Sequence, residues 1–278
     1  MREINSDLIE NAIEILAEKA CCELCDDAYL ALEKLKGTQP NVNAEFALDY
    51  LIKNAKTAKE ERIAVCQDTG LAVVFLEIGQ DVHITGKNLN ESINDGIKKS
   101  YKNNGFRMSV LDPISRVNTN TNTPAVIHTE IVKGEKIKLS FIPKGFGSEN
   151  MTKLFMLTPA EGLDTACQKI VNAVKEAGSK PCPPIVVGIG FGGTAETAIL
   201  LSKKALFRKI GSKNSDPVLN KLEEDLLKKI NELNIGPQGF KGTTAHAVFI
   251  EKFPTHIAAF PVGVSIQCNC VRKSETIL

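Results

Sequence analysis

The sequence predicts a mixed α/β fold of the α+β class, one domain in which N-terminal helices pack on a mixed sheet. Three observations predict it. Apolar residues recur at helical spacing through the first sixty positions, and short apolar runs bounded by glycine or proline follow from residue 71 onward. No linker-like stretch divides the 278 residues, so residues 1–278 read as a single domain. With 43% hydrophobic and 24% charged residues, a chain of this length can bury a substantial core.

The elements follow in order. Leu8, Ile13, Ile15, Leu16, Leu24, Tyr29, Leu32 and Leu35 keep a helical period, so one helix is expected over residues 6–36, stopped at Gly37. A second is expected over residues 42–61. LAVVFLEIG (71–79) has the unbroken apolar character of a buried strand, and residues 88–105 form a surface helix closed by Asn104 and Gly105. AVIHTEIV and KIKLSFIP are expected as two strands joined by the turn Lys133-Gly134-Glu135. Thr158, Pro159 and Glu161 combine an N-cap, a first-turn proline and a capping-box acid, so a helix starts there and runs to about residue 177. PIVVGIG is another buried strand, followed by a helix in TAETAILLSKKALFRK. Asp216-Pro217 opens a further helix ending near Leu233, and TAHAVFIEKF and HIAAFPVGVSIQC are strand-like.

Charge excludes some function classes. Basic and acidic residues number 34 and 33 and are interspersed, which leaves no electrostatic footprint for nucleic acid. The amino-terminal stretch lacks the apolar core of a signal peptide, and no later stretch approaches a membrane span, so a cytoplasmic protein without membrane contact is expected. In a reducing compartment the eight cysteines are buried filler, nucleophiles or metal ligands rather than disulfides.

Several stretches carry candidate chemistry. Gly188, Gly190 and Gly193 match G-x-G-x-x-G between a strand and a helix, but the second strand and terminal acid of a dinucleotide site do not follow. The weaker expectation is a close backbone approach at this loop. Cys21, Cys22 and Cys25 contain a C-x-x-C without a second pair, inside a helical pattern, and like Cys167 they suit packing better than metal. Cys66, Cys182 and Cys268 differ, because VCQDTG, KPCPPIVVG and IQCNCVR place them at junctions among polar, glycine and proline residues. Three thiolates can hold three corners of a [4Fe–4S] cube and leave one iron open. On spacing alone, three unrelated buried cysteines is the better reading, and Cys270 rivals Cys268. His256 reads first as a core hydrogen-bonder, and His83, His128 and His246 have no stronger claim. Arg107 and Arg116 sit in loops, where an arginine can clamp a carboxylate but is more often solvated.

Six motifs taken together go further. VCQDTG, NTPAVIHTEIV, PKGFGSENMTKL, CPPIVVGIGFGGTAE, GPQGFKGTTA and HIAAFPVGVSIQC stand in the order found in the α subunit of iron–sulfur fumarase and tartrate dehydratase (class I fumarate hydratase), and the chain resembles that family over residues 5–272. The resemblance implies a [4Fe–4S] cluster on Cys66, Cys182 and Cys268, with one iron not ligated by cysteine acting as a Lewis acid. It prefers Cys268 over Cys270, because Cys268 stands twelve residues after His256. It also implies that Asp68 and His256 are catalytic and hydrogen-bonded to each other. Gln67, Arg107, Gly147 and Asn150 would contact a dicarboxylate substrate. The implied activity is reversible dehydration of a 2-hydroxy dicarboxylate. Malate to fumarate leads, with L-tartrate to oxaloacetate as the alternative and a non-catalytic cluster-binding subunit as a third possibility.

The sequence departs from the family pattern at Phe146, where glycine is usual, at Lys241 in a glycine-rich turn, and at Asn269, where histidine or an aromatic often follows the last ligand. RVNTNTNTPA lacks an acid common before its final Asn-Thr-Pro. In single-chain relatives a second module carries the carbon base, so that module is expected on a separate β subunit, in an α2β2 assembly.

Overall fold

Helix starts follow caps written in the sequence. Asn5 accepts the Asp7 N–H at 2.8 Å, Asn88 accepts Asn90 at 2.9 Å, Asp216 accepts Val218 at 2.9 Å, and Thr158 with Glu161 closes a reciprocal capping box. A computed structural model describes all 278 residues. Its elements in chain order are β1 (Arg2–Asn5), α1 (Ser6–Cys22), α2 (Asp26–Lys34), α3 (Val42–Glu61), β2 (Leu71–Gly79), β3 (Val82–Thr85) and α4 (Leu89–Asn103). Then come β4 (Val126–Val132), β5 (Ile137–Lys144), α5 (Phe146–Glu149), β6 (Lys153–Leu157), α6 (Gly162–Ala177) and β7 (Ile185–Gly192). The chain closes with α7 (Ala195–Ala205), α8 (Pro217–Asn231), β8 (Ala245–Phe253), β9 (Phe260–Gln267) and β10 (Ser274–Ile277). The class is α+β, as expected.

The expected long first helix is two helices. In a continuous helix the Cys21 carbonyl would accept from Cys25, but the Val65 N–H takes it at 3.0 Å, and Glu23 turns to an extended conformation. Asp26 and Asp27 then begin a new helix with acids at its positive end.

Contacts divide the chain into two compact units. One holds residues 1–25, 54–146 and 272–278, the other residues 26–53 and 147–271. Each has its own hydrophobic core.

In the first unit the sheet order is β10-β5-β2-β4, with β1 paired parallel to β3 beside it. β2 runs antiparallel to β5 and parallel to β4, so the two strands expected to adjoin across residues 133–135 are separated by β2. Two strand spacings are about 9.6 Å, and the segment from Val132 to Ile137 extends to about 16 Å, so the turn can cross the end of β2. There Gly134 accepts the Asp81 N–H at 3.0 Å, and the Gly134 carbonyl fills the space a side chain at position 79 would need. Ala72, Val74, Leu76 and Ile78 of β2 meet Ile137, Leu139 and Phe141 of β5 beneath Ile9, Ile13, Ile93 and Ile97 of α1 and α4.

In the second unit the order is β6-β9-β7-β8. Alternation assigns each face. Ile185, Val187, Ile189 and Phe191 of β7 and Val262, Val264 and Ile266 of β9 pack with Ile170, Val174, Leu226 and Ile230 of α6 and α8. The opposite face carries Gly188, Gly190 and Gly263, and α7 lies on it. A Cβ at Gly190 would stand 2.1 Å from the Ala198 carbonyl, and one at Gly188 2.1 Å from that of Ser202. These glycines therefore serve the close approach of a helix in the same chain. Each fully buried Ile or Leu contributes about 1.5–3 kcal/mol, against about 0–1 kcal/mol for exposed ion pairs such as Lys56–Glu60, so the two cores dominate stability.

Candidate active site

The first unit holds the turn at residues 65–70 between α3 and β2. Cys66 is half-buried, Gln67 exposed, and the Cys66 Sγ lies 3.7 Å from Gln67 Oε1. The Asp68 carboxylate is held at both oxygens: Oδ1 accepts the Gly70 N–H at 3.1 Å and Oδ2 the Phe146 N–H at 2.8 Å. Phe146 thus meets Asp68 through its backbone, which a glycine would do equally, while its ring remains 44% exposed.

Buried polar groups fix the backbone of this turn. The Tyr101 hydroxyl, fully buried, donates to the Thr69 carbonyl at 2.6 Å and lies 3.2 Å from that of Gly70. Asn122 Nδ2 donates to the Gly70 carbonyl at 3.1 Å, and its Oδ1 accepts the Ser109 N–H at 2.7 Å. Gly70 has φ +81°, and a Cβ there would strike Pro143 at 2.7 Å, so the turn requires glycine. Burial holds the Tyr101 phenol well above its usual range and pushes the Cys21 thiol up to about 11, so both stay protonated.

Thr69 Oγ1 donates to the Arg107 carbonyl at 2.7 Å, which ties Arg107 to the turn and leaves its side chain exposed. Gln67, Asp68 and Arg107 therefore come from one braced segment pair. Arg272 is fully buried, and the point where a Gly145 Cβ would stand is 3.2 Å from Asp68 Oδ2 and 3.4 Å from Arg272 Nη2. A guanidinium thus sits beside the Asp68 carboxylate.

In the second unit, Cys182 is exposed and has φ +52°, an uncommon conformation for a residue with a side chain. Its carbonyl accepts two bonds from Asn269, the backbone N–H at 3.0 Å and Nδ2 at 2.7 Å. The turn bearing Cys268, half-buried at the end of β9, is thereby fastened to Cys182. The Cys270 thiol donates instead to Asn269 Oδ1 at 3.2 Å. A Cβ at Gly147 would lie 3.2 Å from the Lys180 carbonyl, so α5 begins against the Cys182 loop, and Asn150 follows exposed. His256 is exposed, contrary to the core position expected for it, because it lies in a run of exposed residues, 252–258, that leads out of β8. Its Nδ1 accepts the Ala258 N–H at 3.2 Å, while Thr255 Oγ1 anchors the loop to the Gly193 carbonyl at 2.8 Å. Arg116 is exposed in a loop, and the His128 ring lies tilted against Phe75 with centroids 4.9 Å apart.

Cysteine environments separate the eight. Cys21, Cys22 and Cys167 are buried and their thiols pushed up by burial, which disfavours the thiolate a metal needs. Cys25 lies in the break after α1, not in a helix, and its thiol donates to the Lys273 carbonyl at 3.4 Å. Cys66 in the first unit, and Cys182 and Cys268 in the second, are each partly or fully exposed at a turn, the accessible setting that a thiolate ligand to iron requires. No group of three His, Cys, Asp or Glu side chains closes on a single-ion position. A cubane places its thiolates on separate irons and does not require such closure. Tyr101, Asn122, Asn269 and Arg272 were not legible as site residues. Each acts through backbone bonding or burial, which leaves no local pattern.

A family model described as fumarate hydratase (Fumerase) matches residues 10–277. A putative L(+)-tartrate dehydratase subunit alpha of Methanocaldococcus jannaschii is 39% identical over 273 residues, 96% of each chain. The L(+)-tartrate dehydratase subunit alpha of Escherichia coli (strain K12) is 27% identical over 258 residues, 91% of this chain and 85% of the relative. No helix here is long and apolar enough to cross a membrane. With the model match covering nearly every residue, the chain belongs to the fumarate hydratase and tartrate dehydratase family of hydro-lyases, as an α subunit.

Proposed function

We propose that this chain is the α subunit of an iron–sulfur hydro-lyase that converts L(+)-tartrate to oxaloacetate. The observation that carries the substrate is the near full-length similarity to relatives named for L(+)-tartrate. It favours tartrate over the malate-to-fumarate conversion that led the sequence-based expectation.

Cys66, Cys182 and Cys268 would hold a [4Fe–4S] cluster whose one iron free of cysteine supplies a Lewis acid for the substrate hydroxyl. The chain's own groups do the rest. The exposed Arg107 guanidinium offers a bidentate clamp to one substrate carboxylate. The Gln67 and Asn150 amides and the open backbone at Gly147 supply hydrogen bonds that orient the diacid. Asp68, held by the Gly70 N–H at Oδ1 and the Phe146 N–H at Oδ2, takes up and returns a proton at a remaining carboxylate lone pair. With Nδ1 accepting the Ala258 N–H, His256 leaves Nε2 to present an N–H to a substrate oxygen. The carbon base belongs to the β subunit, and an α2β2 assembly completes the enzyme.

The test is anaerobic reconstitution of the α–β complex, assayed on L(+)-tartrate, D(−)-tartrate, malate and fumarate. Highest kcat/KM on L(+)-tartrate is expected, with the α chain alone inactive. A complex that turns over malate about 10-fold better than L(+)-tartrate would overturn the substrate assignment. Full activity of α alone would overturn the two-subunit site.

A further inference from the structure

We propose that Asn269 is a positioning residue for the cluster, a buried clamp that sets Cys182 against the turn carrying Cys268. The inference rests on the iron–sulfur reading above. Asn269 is 3% exposed, and both of its donors, the backbone N–H at 3.0 Å and Nδ2 at 2.7 Å, reach one acceptor, the Cys182 carbonyl. A carbonyl has two lone pairs, so this one is saturated by a single residue.

The clamp acts where the chain needs it. Cys182 holds φ +52°, a conformation that persists only where its surroundings impose it. On its amino side the Cys182 N–H donates to Ser179 at 2.9 Å, and on its carboxyl side Asn269 provides the restraint. The amide is itself oriented. Oδ1 accepts the Cys270 thiol at 3.2 Å, and a flipped amide would lose both that bond and the one to Cys182. A second buried amide supports the same turn, since Gln267, 1% exposed, donates from Nε2 to the Cys270 carbonyl at 3.0 Å and lies 3.9 Å from Cys268 Sγ. Groups that orient ligands control how tightly a centre is held, and their loss typically costs about 10–100-fold in affinity. Asn269 therefore governs how firmly the two thiolates of this unit keep iron.

The experiment uses the reconstituted α–β complex as wild type, Asn269→Leu, Asn269→Ser and Asn231→Leu. Leu keeps the branched shape of Asn without its polar atoms but is bulkier, and Ser avoids overfilling the turn, so one variant reports if the other misfolds. Asn231 is a matched amide in the same unit, bonded to Thr244 and Ala245 at 2.9 Å and remote in sequence from every cluster cysteine. The readouts are iron release to a chelator, the electron paramagnetic resonance line shape of the oxidised cluster, and the melting temperature. The Asn269 variants should release iron about 10–100-fold faster with an altered line shape. Asn231→Leu should lower the melting temperature alone. Wild-type release rate and line shape in a folded Asn269 variant overturn the clamp and leave the iron–sulfur reading intact. A wild-type complex that takes up no cluster overturns both.

Discussion

Tyr101→Phe removes one oxygen from the brace beneath the Asp68 turn. The ring stays buried against Phe106, edge-on at 5.5 Å, so the hydrophobic contribution is unchanged and the loss is polar. The hydroxyl carries one proton, and the 2.6 Å contact assigns it to the Thr69 carbonyl. The Gly70 carbonyl keeps its 3.1 Å bond from Asn122. Thr69 retains only the Cys21 thiol at 3.8 Å, a weak donor at long range. The variant thus leaves a buried carbonyl nearly unsatisfied, which costs about 1–3 kcal/mol. At about 2–4 °C per kcal/mol for a chain approaching this size, a loss near 2 kcal/mol lowers the melting temperature by about 4–8 °C. Asp68 precedes Thr69 directly, so freeing that carbonyl also loosens the carboxylate to which we assign proton transfer, and kcat should fall more than KM rises. Thermal unfolding followed by circular dichroism, with steady-state kinetics on the reconstituted complex, measures both. A melting temperature within about 1 °C of wild type together with unchanged kcat would refute the brace.

Gly190→Ala puts a Cβ 2.1 Å from the Ala198 carbonyl and 2.7 Å from Leu201 Cβ, so α7 must lift from the sheet. Overpacking of this kind costs about 1–3 kcal/mol or more, read as a fall in denaturant midpoint. His246 carries a separate pH signature. Its Nε2 is buried without a partner, and burial lowers the ring's pKa from 6.5 to about 4. The unfolded chain then binds a proton that the folded chain refuses. This contribution to stability is complete above pH 6.5 and is lost as pH falls toward 4, by at most about 3 kcal/mol. His246→Gln should flatten the melting temperature between pH 6.5 and 4, and identical wild-type and variant curves would refute the assignment.

Local signals were strong where the chain itself supplies the partner. The caps at Asn88, Thr158 and Asp216 satisfy their own first-turn N–H groups, and α3, α4, α6 and α8 begin where those side chains or the apolar period place them. The apolar runs at 71–79 and 185–192 are strands because only burial on both faces suits such segments. The short strands β1, β3, β6 and β10 gave no comparable signal, since four or five residues are too few to show a period and their partners lie far along the chain. The six ordered motifs pointed to the family, and the resemblance they carry singled out the Asp68 turn, Arg107 and the turn cysteines as candidates. The buried groups that hold them, Tyr101, Asn122, Arg272 and Asn269, were not.

The division has a physical cause. Sequence alone determined the elements whose hydrogen-bond partners lie within a few residues, together with the donor types available for chemistry. Tertiary structure alone decided where backbone groups go when a distant residue outbids a local one. The Val65 N–H took the Cys21 carbonyl and split the first helix, and β2 entered between β4 and β5. Asn269, a departure from the family pattern when read as a letter, became the partner of the Cys182 carbonyl. A backbone acceptor carries no mark in the sequence, so which donor reaches it is set only when the chain is packed.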